Sequence, residues 1–136
     1  MEPKFIVITI GTWFLFMVLA IINAIVREGI FSSFLNELRA HQLSTLTLMT
    51  IFFIVTYLVL RFSNIRLSSE QAFIMGVIWL ILTICFEFLA GHYAFGNSWD
   101  KLIADYNILK GRIWILIPLT TLLSPVFANK IIKMFN

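Results

Sequence analysis

Apolar residues in this chain fall into four long runs, not into the short alternations of a water-soluble domain. Phe5 to Val26 gives 22 residues without a charge, and Leu43 to Leu60 gives 18. Ala72 to Ala90 gives 19, broken only by Glu87, and Ile113 to Ala128 gives 16. At 1.5 Å per residue, about 20 helical residues cross a hydrocarbon layer of roughly 30 Å. The pattern predicts four transmembrane helices at residues 5–26, 43–61, 72–90 and 112–131. The last reaches past Ala128 if the Lys130 side chain extends to the interface.

The connections differ in kind. Residues 61–71 form a short polar turn, where Ser68 or Ser69 is placed to cap the third span with Glu70 and Gln71 in its first turn. The other two links are longer and amphipathic. Trp99, Leu102, Ile103, Tyr106 and Leu109 recur at helical spacing, with Asp100 early, Lys110 late and Gly111 as a stop. Ile30, Phe31, Phe34, Leu35 and Leu38 also share a face. Two short helices lying in the membrane interface are expected, at residues 33–40 and 99–109. The fold class that follows is all-α. It is a polytopic membrane protein of two helical hairpins, residues 1–136 forming one domain, with both surface helices on the side opposite the termini.

Composition agrees with that reading. Of the 136 residues 60% are hydrophobic and only 12% charged, against about a quarter charged in a soluble domain. Too few charges remain to solubilise the chain, which excludes an ordinary soluble enzyme. The lysines and arginines do not cluster, so no nucleic-acid partner is expected. The single cysteine, Cys85, excludes an internal disulfide and reads as core packing. Lysines and arginines number five on each side, so the positive-inside count is a tie. Acids break it, with two on the side of the termini and five opposite. Insertion in both orientations is one reading. The favoured one places the termini in the cytoplasm of a prokaryotic plasma membrane.

Ionisable groups within a membrane are costly and mark function by default. Glu87 lies about one turn below the surface of the third span, with Thr83 four residues earlier on its face. Arg27 ends span one, with Asn23 a turn deeper, and Arg112 opens span four; either arginine is a candidate partner for Glu87. Glu28, His41, His92, Tyr93, Asp105 and Asn107 lie in the adjoining links. These residues define an expected polar vestibule. The competing reading makes Glu87 and an arginine a structural buttress.

Neither histidine shares a helical face with a second ligand, so no metal or cofactor is expected. Ala20 and Ala24 form a small-residue pair suited to close helix packing. Ser44, Thr47 and Thr50 form a hydroxyl stripe, Gly91 is placed to end the third span, and Pro118 and Pro125 are placed to kink or shorten the fourth. No motif resembles that of a known small four-span family. The leading expectation is transport or permeation of a small polar solute or ion by a homo-oligomer in a lipid bilayer. A membrane enzyme using Glu87 and His92, or an accessory subunit docked on a larger membrane protein, are the alternatives.

Overall fold

The computed structural model describes residues 2–135 and contains no strand among them. Five α-helices follow in order: α1 Pro3–Gly29, α2 Glu37–Phe62, α3 Ser69–Tyr93, α4 Trp99–Ala104 and α5 Leu116–Met134. Three helical segments, Pro3–Ser33, Glu37–Phe62 and Ser69–Tyr93, are long and apolar enough to cross a membrane. Only 28%, 33% and 28% of their most apolar windows are buried within the protein. The remainder, including Val7, Phe14, Val18, Ile25 and Ile81, points outward. A surface of that kind is stable against hydrocarbon and not against water. α5 is less apolar, because Asn129, Lys130, Lys133 and two prolines fall within its 19 residues.

Helix ends follow local chemistry, and here several expectations are corrected. The first interfacial helix does not form. Asn36 is the cap of the helix that does form, its side chain accepting from the Arg39 amide at 2.8 Å with Glu37 in the first turn. α2 therefore starts six residues before the expected span, and residues 31–33 make only a single 3-10 turn. The second interfacial helix is shortened to the six residues of α4, followed by a 3-10 turn at Ile108–Lys110. Gly111 closes that turn with a left-handed φ of 81°, a conformation open to glycine at little cost. Ser68 caps α3, and Gln71 completes a reciprocal capping box.

Gly91 does not end α3, which runs two residues further. A Cβ at Gly91 would approach Leu102 Cδ2 to 2.8 Å, so this glycine lets α4 lie against α3. Neither proline ends α5. Pro118 falls in the first turn, where the missing N–H has no intrahelical partner to lose, and the helix continues through Pro125 to Met134.

α5 is the centre of the assembly, packing most extensively on α3 and then α2. α1 packs mainly on α2 and only thinly on α3. The rings of Phe16 and Phe52 stack at 4.3 Å, and Trp79 meets Phe16 edge-on at 4.8 Å, joining α1, α2 and α3 in one buried cluster. The Trp79 indole also donates to the Thr9 carbonyl at 2.8 Å. Cys85 is exposed, not packed in the core as expected, because it falls on the outward face of α3.

Candidate functional site

The thin contact between α1 and α3 leaves a cavity of about 870 Å³ at the end of the bundle where α4 lies. Its long wall is apolar, formed by Met17, Ala20, Ile21, Ala24 and Ile25 of α1 facing Phe86 of α3, above Phe52. Its far end is polar: Arg27, Glu28, His41, Glu87, Lys101 and Asp105 all line it. Ala20 and Ala24 line the cavity, and Ala20 also packs against the buried cluster. Small side chains there widen the cavity.

Glu87 is held by neutral donors. Its Oε1 accepts from Trp114 Nε1 at 2.8 Å and its Oε2 accepts the Tyr106 hydroxyl hydrogen bond. Tyr106 is brought there because the chain leaves helical geometry after Ala104, while the Asn107 carbonyl accepts from the amides of Lys110 and Arg112. The expected pairing of Glu87 with Arg27 or Arg112 does not occur. Arg112 instead grips Glu37 with both terminal guanidinium nitrogens, at 2.8 and 2.7 Å. Arg27 contacts Glu28 at 3.4 Å and donates to Ser44 Oγ at 3.3 Å. Its guanidinium also lies 5.9 Å from the centre of the Trp114 ring. A carboxyl needs hydrogen-bond donors, and an indole and a phenol supply them without burying a second charge.

The buried Asn23 donates to Ser44 at both its carbonyl oxygen, 3.1 Å, and its hydroxyl, 2.9 Å. Ser44 is therefore the hub that ties α1 to α2 beside Arg27. Thr47 and Thr50, its expected companions in a hydroxyl stripe, bond only to the Leu43 and Leu46 carbonyls of their own helix. Thr83 accepts from Trp13 Nε1 at 3.2 Å. His41 is 7% exposed, and its Nδ1 has no hydrogen-bond partner among the described residues. Its ring sits 5.1 Å from that of Trp114. A buried polar atom without a partner is uncommon.

Of the expected vestibule residues, Arg27, Glu28, His41, Thr83, Glu87 and Asp105 come together at the cavity. Asn23 supports them through Ser44. The rest lie apart. His92 shares its Nδ1 with the Asn97 carbonyl at 2.8 Å and stacks on Trp99 at 3.9 Å; Tyr93 is exposed. Asn107 shapes the turn with its backbone, and Arg112 faces Glu37. The vestibule expected from the sequence did not include Trp114 or Lys101, and Ser44 was expected only as part of a hydroxyl stripe. Trp114 stands at the start of the fourth apolar run, where an indole commonly pairs an apolar body with a donor. That was the available signal. Among the described residues no three His, Cys, Asp or Glu side chains are grouped to hold a metal ion.

The Arg112–Glu37 pair joins the start of α2 to the link before α5, but the Glu37 side chain is 71% exposed. Exposed pairs contribute about 1 kcal/mol or less, and salt screens them. Arg112→Gln is expected to lower thermal stability only slightly at low salt and not at all in about 1 M sodium chloride, where the screening length is about 3 Å. Unfolding curves at two salt concentrations check this. A large loss that salt leaves unchanged would contradict it.

Fold and site together define an all-helical chain with three helices long enough for a membrane and a cavity that joins a polar end to an apolar wall. Compared with known proteins, the chain matches no family model, no curated protein and no solved structure.

Proposed function

We propose that the protein is a four-span membrane protein, α5 being the fourth span, that binds and passes a small solute at the cavity beside Glu87. The observation that carries this is the cavity itself, with ionisable groups at one end and an apolar wall along α1. Such a lining suits a solute with one polar group and an apolar flank better than a bare hydrated ion, because an ion gains nothing from the α1 wall. The scheme places the protein as a homo-oligomer in a prokaryotic plasma membrane, with the termini in the cytoplasm.

The test is uptake into proteoliposomes of three small amphiphiles of matched size: an alkylammonium, an alkylcarboxylate and a neutral alkylamide. One class is expected to enter in preference to the others. Glu87→Gln is expected to reduce that uptake about tenfold or more, the equivalent of about one hydrogen bond, while the protein stays folded. Uptake unchanged by Glu87→Gln would sink the proposal.

A further inference from the structure

A second cavity, of about 840 Å³, lies at the end of α2, far in sequence from Glu87. It is enclosed by the last turn of α2, the link at residues 63–68 and the last turns of α5. The link is folded back by Asn64, whose φ of 59° is left-handed, a conformation asparagine tolerates better than most residues. Asn129 of α5, itself buried, donates to the Leu67 carbonyl at 3.1 Å and fastens the link to α5. These contacts hold Arg61, Arg66 and Lys133 around one space from three separate parts of the chain.

The charge there is one-sided. Among the described residues, three cations line the cavity and no carboxylate does. Among the described residues none of the three is in an ion pair, whereas Arg27 and Arg112 at the other end are both paired. Apolar side chains, Leu60, Ile65 and Ile132, complete the lining, and Phe62 and Phe135 beside it are strongly exposed. This is a cationic cup with an apolar base at the end of apolar helices, a level where a bilayer presents phosphate above acyl chains.

We propose that the cavity formed by Arg61, Arg66 and Lys133 binds the headgroup of an acidic phospholipid. The guanidinium groups take the phosphate oxygens, for which their planar forks are suited, and Lys133 adds a mobile third charge. The glycerol and first acyl carbons lie on Leu60, Ile65 and Ile132. A zwitterionic lipid fits less well, because its ammonium or choline group brings positive charge to a cup without a carboxylate. This site rests on the chain lying in a bilayer and is independent of what the Glu87 cavity binds.

The test uses the full chain in neutral detergent, with phosphatidylglycerol or phosphatidylcholine added and bound lipid counted by native mass spectrometry. The expected result is a preference for phosphatidylglycerol of about tenfold or more, given that each surface cation favours anionic lipid. R61Q/R66Q/K133Q is expected to bring the ratio to about one, while R39Q/K110Q, at the opposite end, leaves it unchanged. Inorganic phosphate at equal concentration is expected not to displace the lipid; full displacement would mean a free-anion site and would overturn the lipid assignment. If the triple variant does not fold, R66Q alone, in the exposed link, is expected to reduce the preference about threefold. No preference in the wild type, or an undiminished one in a folded variant, overturns the proposal.

Discussion

Gly76→Ala is expected to destabilise the protein by about 3 kcal/mol, at the upper end of what overpacking a well-filled interface costs. A Cβ on Gly76 would fall within the van der Waals surface of the Leu122 carbonyl oxygen, and would meet Leu122 Cα at 3.2 Å. Both neighbours are backbone, so no side chain can rotate aside. The α3 and α5 helices would have to separate, opening the most extensive helix–helix contact in the molecule. Alanine also favours helix over glycine by about 1 kcal/mol, an opposing effect too small to reverse the sign. Gly11→Ala isolates that opposing effect, because nothing lies within 4 Å of a Cβ there. It is expected to be neutral or slightly stabilising. Thermal unfolding in detergent, followed by near-ultraviolet circular dichroism, reads both variants. A Gly76→Ala protein as stable as the wild type would rule out the close α3–α5 approach.

That glycine also shows where the sequence was legible and where it was not. Long apolar runs located three helices able to cross a membrane, because span length is a property of consecutive residues. A serine cap on α3, at Ser68 or Ser69, was legible for the same reason, since the bonds that Ser68 and Gln71 exchange close within four residues. Which small residue admits a neighbouring helix is a different kind of question. Ala20 and Ala24 have the right spacing on α1 and line the cavity, whereas the backbone-to-backbone approach is made by Gly76 of α3 against Leu122 of α5. Spacing identifies a smooth face but not what lies opposite.

The site divides in the same way. The concentration of ionisable residues near Glu87, Arg27 and Asp105 was visible in the chain and corresponds to one cavity. Its pairing was not visible, because the decisive contacts span large separations in sequence: Arg112 reaches Glu37 across 75 residues, and Trp114 reaches Glu87 across 27. Charge counting also favoured the wrong type of partner. A carboxyl among cations invites an ion pair, whereas the fold satisfies Glu87 with two uncharged donors and leaves Arg27 beside Glu28 and Ser44. The result is a polar end in which Arg27, Lys101 and Asp105 are not consumed by Glu87.

Glu87→Ala is expected to cost about 3 kcal/mol, and the reason is what it leaves behind, not what it removes. The Trp114 N–H and the Tyr106 hydroxyl would both lose their acceptor in a partly buried setting, at about 1 to 3 kcal/mol for each group left unsatisfied. The two bonds also join α3 to the link before α5, so their loss frees the segment that closes the polar end of the cavity. Glu87→Gln should behave differently, with a loss of about 1 kcal/mol or less, because its amide carbonyl can accept from Trp114 while its NH₂ donates to the Tyr106 oxygen. Trp114→Phe provides the check on mechanism. In the Glu87→Ala background it removes one stranded donor, so the double variant should be less destabilised than the sum of the single changes, by about 1 kcal/mol in a double-mutant cycle. If Glu87→Gln is as unstable as Glu87→Ala, or if the cycle is additive, the carboxyl is not held by these donors. If Glu87→Gln keeps its stability and loses uptake, the same carboxyl serves the solute as well as the fold, and a purely structural buttress is excluded.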